Sequence, residues 1–102
     1  MTKRVEIIVQ KHDNDGKDFS KVMIDGIHSD LLDITGGLTT VDSTGEWKNN
    51  AMVFVDHNIL FMTDVHSDKA VQKLRDYAKT LKIKLGQKSI YFATYPIKVE
   101  FL

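Results

Sequence analysis

Alternating apolar and polar residues predict a strand at each end of this chain. Near the start, Val5, Ile7 and Val9 alternate with charged or polar neighbours, the period of a half-buried strand. Near the end, alternation predicts one core-facing set, formed by Tyr91, Ala93, Tyr95, Ile97, Val99 and Phe101. Pro96 has no backbone donor for a ladder, so this last strand is expected at a sheet edge.

Helical spacing of apolar residues indicates two helices. The clearer one follows Ser67 and Asp68, ends at Gly86, and carries an apolar stripe made of Ala70, Val71, Leu74, Tyr77, Ala78, Leu81 and Leu85. The other is predicted to begin near Phe19, with Asp18 or Ser20 as its cap. Gly26 inside it costs about 1 kcal/mol relative to alanine, so a rival interpretation makes 21–25 a short strand and begins the helix at Ser29.

A β-hairpin is predicted between the helices. A β-rich segment over 38–47 leads to a turn at 48–50 and then to a long strand from Ala51 to Val65. We expect bends or bulges at 42–45 and at 56–58, with a second hairpin as the alternative at the latter. The order strand, helix, hairpin, helix, strand predicts an α+β, ferredoxin-like βαββαβ sandwich, with an antiparallel sheet and both helices on one face.

Length and charge narrow the class of protein. At 102 residues the chain is expected to form a single domain over 1–102. Its 14 basic and 14 acidic side chains balance, which argues against nucleic acid as a partner. The absence of cysteine, of an apolar stretch long enough for a membrane span and of a secretory leader predicts a cytoplasmic protein that does not bind membranes.

The predicted sheet leaves one face without helices, and this face carries the strongest functional signal. The strand assignments gather apolar side chains there: Ile8, Met52, Phe54, Leu60, Met62, Ile90 and Phe92. A homodimer interface and a small-molecule pocket both explain such a face. Trp47 would line the pocket or rim the interface, although ordinary packing also accounts for it.

Candidates for catalysis are sparse. Asp56, His57 and His66 are the only grouping of acid and base residue types, but neighbouring strand residues point to opposite faces. We therefore expect His57 to be a partly buried, hydrogen-bonded structural histidine. The segment Asp13-Asn14-Asp15-Gly16 departs from a calcium loop at the first and twelfth ligand positions and predicts a solvated turn, and we expect no metal or other cofactor.

Three short motifs resemble a known family. The segments Gly36-Gly37-Leu38-Thr39-Thr40-Val41 with Gly45-x-Trp47, and Gly86-Gln87-x-Ser89-Ile90 with a closing apolar strand, resemble a bacterial domain-of-unknown-function family over roughly residues 19–101. Leu85 and Asp56 depart from that family's usual aromatic and glutamate. The resemblance implies a small α+β sandwich and no particular substrate.

Together these observations predict a homodimeric binding or interaction module that uses the open sheet face, and they favour a non-catalytic role. The alternative is a cofactor-independent small-molecule enzyme, similar to monooxygenase- or isomerase-like dimeric α+β barrels.

Overall fold

Four strands and two helices alternate along the chain in the computed structural model, which describes residues 1–102. They are β1 (Lys3–Gln10), α1 (Lys21–Thr35), β2 (Thr39–Asn49), β3 (Met52–Val65), α2 (Asp68–Lys84) and β4 (Tyr91–Pro96). The strands form one sheet in the order β2-β3-β1-β4, with every neighbouring pair antiparallel. This is the ferredoxin-like βαββαβ arrangement, so the predicted fold class is confirmed.

The first helix forms as a single element despite Gly26. The Ser20 side chain accepts a hydrogen bond from the backbone N–H of Met23 and thereby caps the helix, while Gly36 ends it in the left-handed conformation with a φ of 74°. The rival interpretation, with a strand over 21–25, is wrong. Gly26 lies on the exposed side of α1, where its cost in helix propensity is offset by the apolar residues that the same helix buries.

The second helix follows its local signals closely. Ser67 accepts from the N–H of Ala70, Asp68 occupies the positive end, and Lys82 and Lys84 occupy the negative end. Gly86 follows with a φ of 65°, a conformation that suits glycine. The helix therefore ends where the sequence predicts.

The core lies between the helices and one face of the sheet. Val5, Ile7 and Val9 point into it as predicted. They meet side chains from β3, from both helices and from the residue that caps α2: Ile27, Leu31, Ile59, Phe61, Val65, Val71, Leu74, Leu81 and Leu85. The Tyr77 hydroxyl on α2 also donates to the Asp30 carboxylate on α1 at 2.9 Å. Both helices thus cover the same face, and the other face is left without a helix.

The β2–β3 hairpin runs without the bulges that the sequence suggested. Residues 39–49 pair with 52–62 in one uninterrupted register, and Asn50 supplies the turn with a φ of 56°. Short polar residues at 42–45 and 56–58 resemble turn signals, but pairing along the full length of both strands satisfies their backbone groups instead.

Candidate functional site

The uncovered face of the sheet is defined by strand register. Ile8 on β1 lies opposite Leu60 on β3 and Tyr91 on β4, and Leu60 in turn lies opposite Val41 on β2. The same parity places Met52, Phe54 and Met62 on this face. We call this surface the open face. It includes the predicted interface residues Ile8, Trp47, Phe54, Leu60 and Met62.

Phe92 and Ile90 do not belong to the open face, so the prediction for both is wrong. Phe92 pairs with the core residue Ile7, packs against the core together with Ile90, and lies under the Arg75 guanidinium, which is 5.3 Å from its ring centroid. On β4 the open-face positions are occupied by Tyr91, Ala93 and Tyr95. A shift of one residue in register exchanges the two faces of a strand, and this segment has apolar residues at both parities.

The tip of the β2–β3 hairpin extends beyond the rest of the sheet. β1 pairs with β3 from Asn58 to Val65, and the backbone N–H of Lys11 donates to the His57 carbonyl at 2.9 Å, so only the part of β3 before His57 pairs with β2 alone. At about 3.3 Å per residue this two-stranded arm projects by about 16 Å. The Trp47 and Phe54 rings stack on it with centroids 4.3 Å apart, while Val53 and Val55 on its other side are 59% and 50% exposed. The arm therefore exposes apolar groups on both sides.

A polar row crosses the open face where the arm joins the sheet. Gln10 on β1, Asn58 on β3 and Ser43 on β2 lie side by side in register. Asn58 is only 7% exposed, and neither its Oδ1 nor the buried Oγ of Ser43 has a hydrogen-bond partner. Space for the Asn58 amide depends on Gly45, because a Cβ there would lie 3.2 Å from the Asn58 Nδ2. This close approach explains why a glycine occupies position 45 of the Gly45-x-Trp47 motif.

Two depressions open beside this row and share Gln10 and Asp56 in their walls. One, of about 320 Å³, is also lined by His12 and Trp47, and the other, of about 180 Å³, by Asn58 and Tyr91. We call them together the hairpin-base groove. The loops that close it are tied to each other, because the Asn14 side chain donates to the Gly86 carbonyl at 2.9 Å.

The predicted catalytic grouping does not come together. Asp56 lies on the open face, whereas His57 lies on the helix side, exposed, beside Ile59 in a depression of about 590 Å³ near the start of α1. The expectation of a partly buried structural histidine at 57 is therefore wrong. His66 lies at the far end of β3, where its Nδ1 is 3.0 Å from the Thr2 hydroxyl. The imidazole nearest Asp56 belongs to His12, with Nε2 4.0 Å from the carboxylate.

Two further charged groups of the open face pair with each other. Arg4 donates from Nε and Nη2 to the two carboxylate oxygens of Asp64 at 2.9 and 3.2 Å. These hydrogen bonds hold the pKa of Asp64 below its ordinary value. In the loop after β1, Asp13 Oδ1 accepts from the backbone N–H groups of Asp15 and Lys17, so its carboxylate stabilises the predicted turn.

Sequence reasoning missed Asn58, Gln10, Ser43 and His12 as parts of a site. The sequence predicts a bulge at Asn58, whereas its burial depends on two strands that are distant in the sequence. The even parity of Asn58, shared with Leu60 and Met62, was the one available signal that a polar residue interrupts an apolar face.

Comparisons with known proteins support the fold. No protein-family model and no curated protein matches the sequence. Among solved structures, a phage SAM lyase in complex with S-methyl-5'-thioadenosine is similar with a TM-score of 0.69 and 13% identity, over 92% of this chain and 80% of that one. The divalent cation tolerance protein Cut A1 from Thermus thermophilus is similar with a TM-score of 0.67 and 17% identity, over 99% of this chain and 88% of that one. The periplasmic divalent cation tolerance protein CutA from Archaeoglobus fulgidus has a TM-score of 0.68 and 11% identity, over 99% and 88%. These TM-scores establish a shared ferredoxin-like fold, and at such low sequence identities the similarity extends to the fold alone.

Neither helix of the structure has the length and apolar character needed to cross a bilayer.

Proposed function

We propose that this protein is a self-associating binding module, in which the open face and the projecting arm form an interface with a second copy of the chain. The observation that carries the proposal is the arm. A two-stranded hairpin is only marginally stable in water, and this one exposes Met52, Val53 and Val55 as well as half of Trp47. A covering partner would remove these side chains from water and stabilise the arm.

The amount of exposed surface agrees with an interface of ordinary size. The chain exposes 7029 Å², whereas a compact monomer of 11.6 kDa exposes about 5,800 Å². The excess of about 1,200 Å² exceeds the roughly 800 Å² that each partner of a standard interface buries. The radius of gyration of 14.6 Å, against about 13 Å for a compact domain of this length, agrees with an extended shape.

Charge favours a second copy as the occupant. The 14 basic and 14 acidic residues cancel, so two copies approach without net repulsion. The open face meets its partner with its main ion pair, Arg4 and Asp64, already satisfied within the chain. Isologous pairing about a two-fold axis then needs no charged partner from elsewhere.

The alternative of a small-molecule enzyme has less support. The acid and base candidates Asp56, His57 and His66 lie on different faces or at opposite ends of β3, as their positions above show. The name of the similar SAM lyase states an enzymatic activity, but at 13% identity the likeness extends to the fold alone. A binding role is therefore better supported than catalysis.

Sedimentation velocity at micromolar concentration tests the proposal. We expect the wild type to sediment as an oligomer and Leu60→Glu, in the centre of the open face, to sediment as a monomer. Phe54→Asp tests the arm separately and should weaken association as well. Ile83→Glu is the matched control, because Ile83 is an exposed apolar residue on α2, away from the open face.

A wild-type protein that is monomeric at micromolar concentration would refute the proposal. So would association that survives both Leu60→Glu and Phe54→Asp, or that Ile83→Glu disrupts to the same extent. Circular dichroism of each variant establishes that the fold is retained, so that a change of mass reports the interface.

A further inference from the structure

A depression beside α2 concentrates positive charge, and we call it the α2 depression. It has a volume of about 380 Å³ and lies between α2 and the start of β4. Its walls contain no acidic residue and four basic ones: Arg75, Lys79 and Lys82 on α2, and Lys88 in the loop that follows. Four other depressions of the surface each have at least one aspartate in their walls. In a chain with no net charge, the α2 depression is a local excess of cations.

These cations have no carboxylate partners within the chain. Every ion pair of the fold uses other basic groups, so no carboxylate oxygen lies within 4.0 Å of the four side chains. The Arg75 guanidinium has five N–H groups and donates once within the chain, from Nη1 to Gln72 Oε1 at 2.8 Å. The helix dipole accounts for Lys82 near the end of α2, but Arg75 lies in the middle of the helix and Lys88 beyond its end. An anion in the depression would supply the missing acceptors.

The rest of the wall is mostly apolar. Ala78, Ile90 and Phe92 line the depression, and the Arg75 guanidinium lies over the Phe92 ring at 5.3 Å from its centroid. This stacking restrains the guanidinium, whose planar fork binds two oxygens of a carboxylate or phosphate. The volume falls within the range of about 300–1,000 Å³ that is typical of small-molecule sites. The α2 depression therefore suits a small ligand with an anionic group and an apolar body.

We propose that the α2 depression binds a small organic phosphate, with its phosphate oxygens on Arg75, Lys79 and Lys82 and its apolar body against Ile90 and Phe92. A phosphate monoester carries a charge of about −1.5 to −2 at neutral pH and has three strong acceptor oxygens, so it can use several cations at once. A carboxylate carries a single charge and would leave most of these cations uncompensated. A cationic ligand would meet only like charges in the walls.

Self-association through the open face leaves this site accessible. Phe92 pairs with the core residue Ile7, so its side chain points to the helix side of the sheet. No residue that lines the α2 depression belongs to the open face or to the arm. The inference therefore goes beyond the proposed function and does not rest on it.

NMR titration with phenyl phosphate at fixed ionic strength tests the inference. We expect saturable shifts of the backbone amide signals of Ser89 and Ile90 and of the Arg75 Nε–H signal. Inorganic phosphate lacks the apolar body and phenol lacks the charge, so each should bind about tenfold more weakly or worse. Benzoate keeps the ring but has one charge and two oxygens, and it should also bind more weakly than phenyl phosphate.

Variants separate the α2 depression from general attraction between an anion and a protein surface. Arg75→Gln and Lys82→Gln should each weaken phenyl phosphate by about tenfold, because each removes a charged hydrogen bond. Lys73→Gln is the matched control, since it removes the same charge from an exposed position about 200° around α2 from Arg75 and should leave binding unchanged. Amide spectra of each variant show whether the fold is intact. Lys82→Gln keeps the test decisive if loss of the stacked arginine disturbs the fold.

The inference is overturned if the shifts do not saturate or if inorganic phosphate, phenol or benzoate binds as tightly as phenyl phosphate. It is also overturned if Lys73→Gln weakens binding as much as Lys82→Gln. Vesicles that contain phosphatidic acid present the same phosphate group on a membrane surface. Cosedimentation with these vesicles in the absence of binding to phenyl phosphate would assign the cations to a membrane contact and would overturn the inference as well.

Discussion

Replacing Asn58 with leucine should make the protein more stable. Leucine branches where asparagine does and has a similar shape, but it has no acceptor to leave unpaired. A buried polar group without a partner costs about 1–3 kcal/mol, and Asn58 Oδ1 is in that state at 7% residue exposure. No hydrogen bond to Ser43 is lost, because the Ser43 Oγ is also unpaired. Gly45 already leaves room for the Asn58 amide, because a Cβ at that position would lie 3.2 Å from the Asn58 Nδ2.

We therefore expect Asn58→Leu to raise the free energy of unfolding by about 1–3 kcal/mol. For a domain of this size each kcal/mol corresponds to about 4–8 °C in Tm. Urea unfolding and calorimetry measure the change, at two protein concentrations because self-association makes Tm depend on concentration. Asn49→Leu, at an exposed position on the same face, controls for added apolar surface and should change stability little. A loss of about 1 kcal/mol or more in Asn58→Leu would show that the amide is satisfied in solution, and would refute the account of this site.

Three further predictions concern the rest of the fold. Gly26→Ala should stabilise α1 by about 0.5–1 kcal/mol in urea unfolding, since a Cβ there meets no atom within 4 Å; a destabilised variant would contradict this. Tyr77→Phe should cost about 0.5–1.5 kcal/mol through loss of the hydrogen bond to Asp30, whereas Tyr77→Phe in an Asp30→Ala background should cost less. The pKa of Asp64 is lower in the folded protein than in the unfolded chain. Its pairing with Arg4 therefore adds stability at pH values above the ordinary carboxyl pKa of about 3.9, and this stability is lost as the pH falls through the pKa of the folded state. Arg4→Gln should raise the pKa of Asp64 in a carboxyl NMR titration and should be less stable than the wild type at neutral pH but not in strong acid.

Local patterns in the sequence determined most of the secondary structure. The cap at Ser20, the cap at Ser67 and the left-handed glycines at 36 and 86 act through neighbours within a few residues, so their effects can be predicted without the fold. The alternation of Val5, Ile7 and Val9 likewise specified which side of β1 faces the core. From these signals the element order and the ferredoxin-like fold follow.

Only the tertiary structure decided the face of β4 and the site beside the arm. Residues 90–95 are apolar at both parities, so the pattern could not choose between Tyr91 and Phe92; pairing with β1 made that choice. Asn58 is buried because β1 and β2 flank it with Gln10 and Ser43, residues far away in the sequence. A side chain's parity is a local property, but register and burial depend on which strands become neighbours, and long-range packing fixes this.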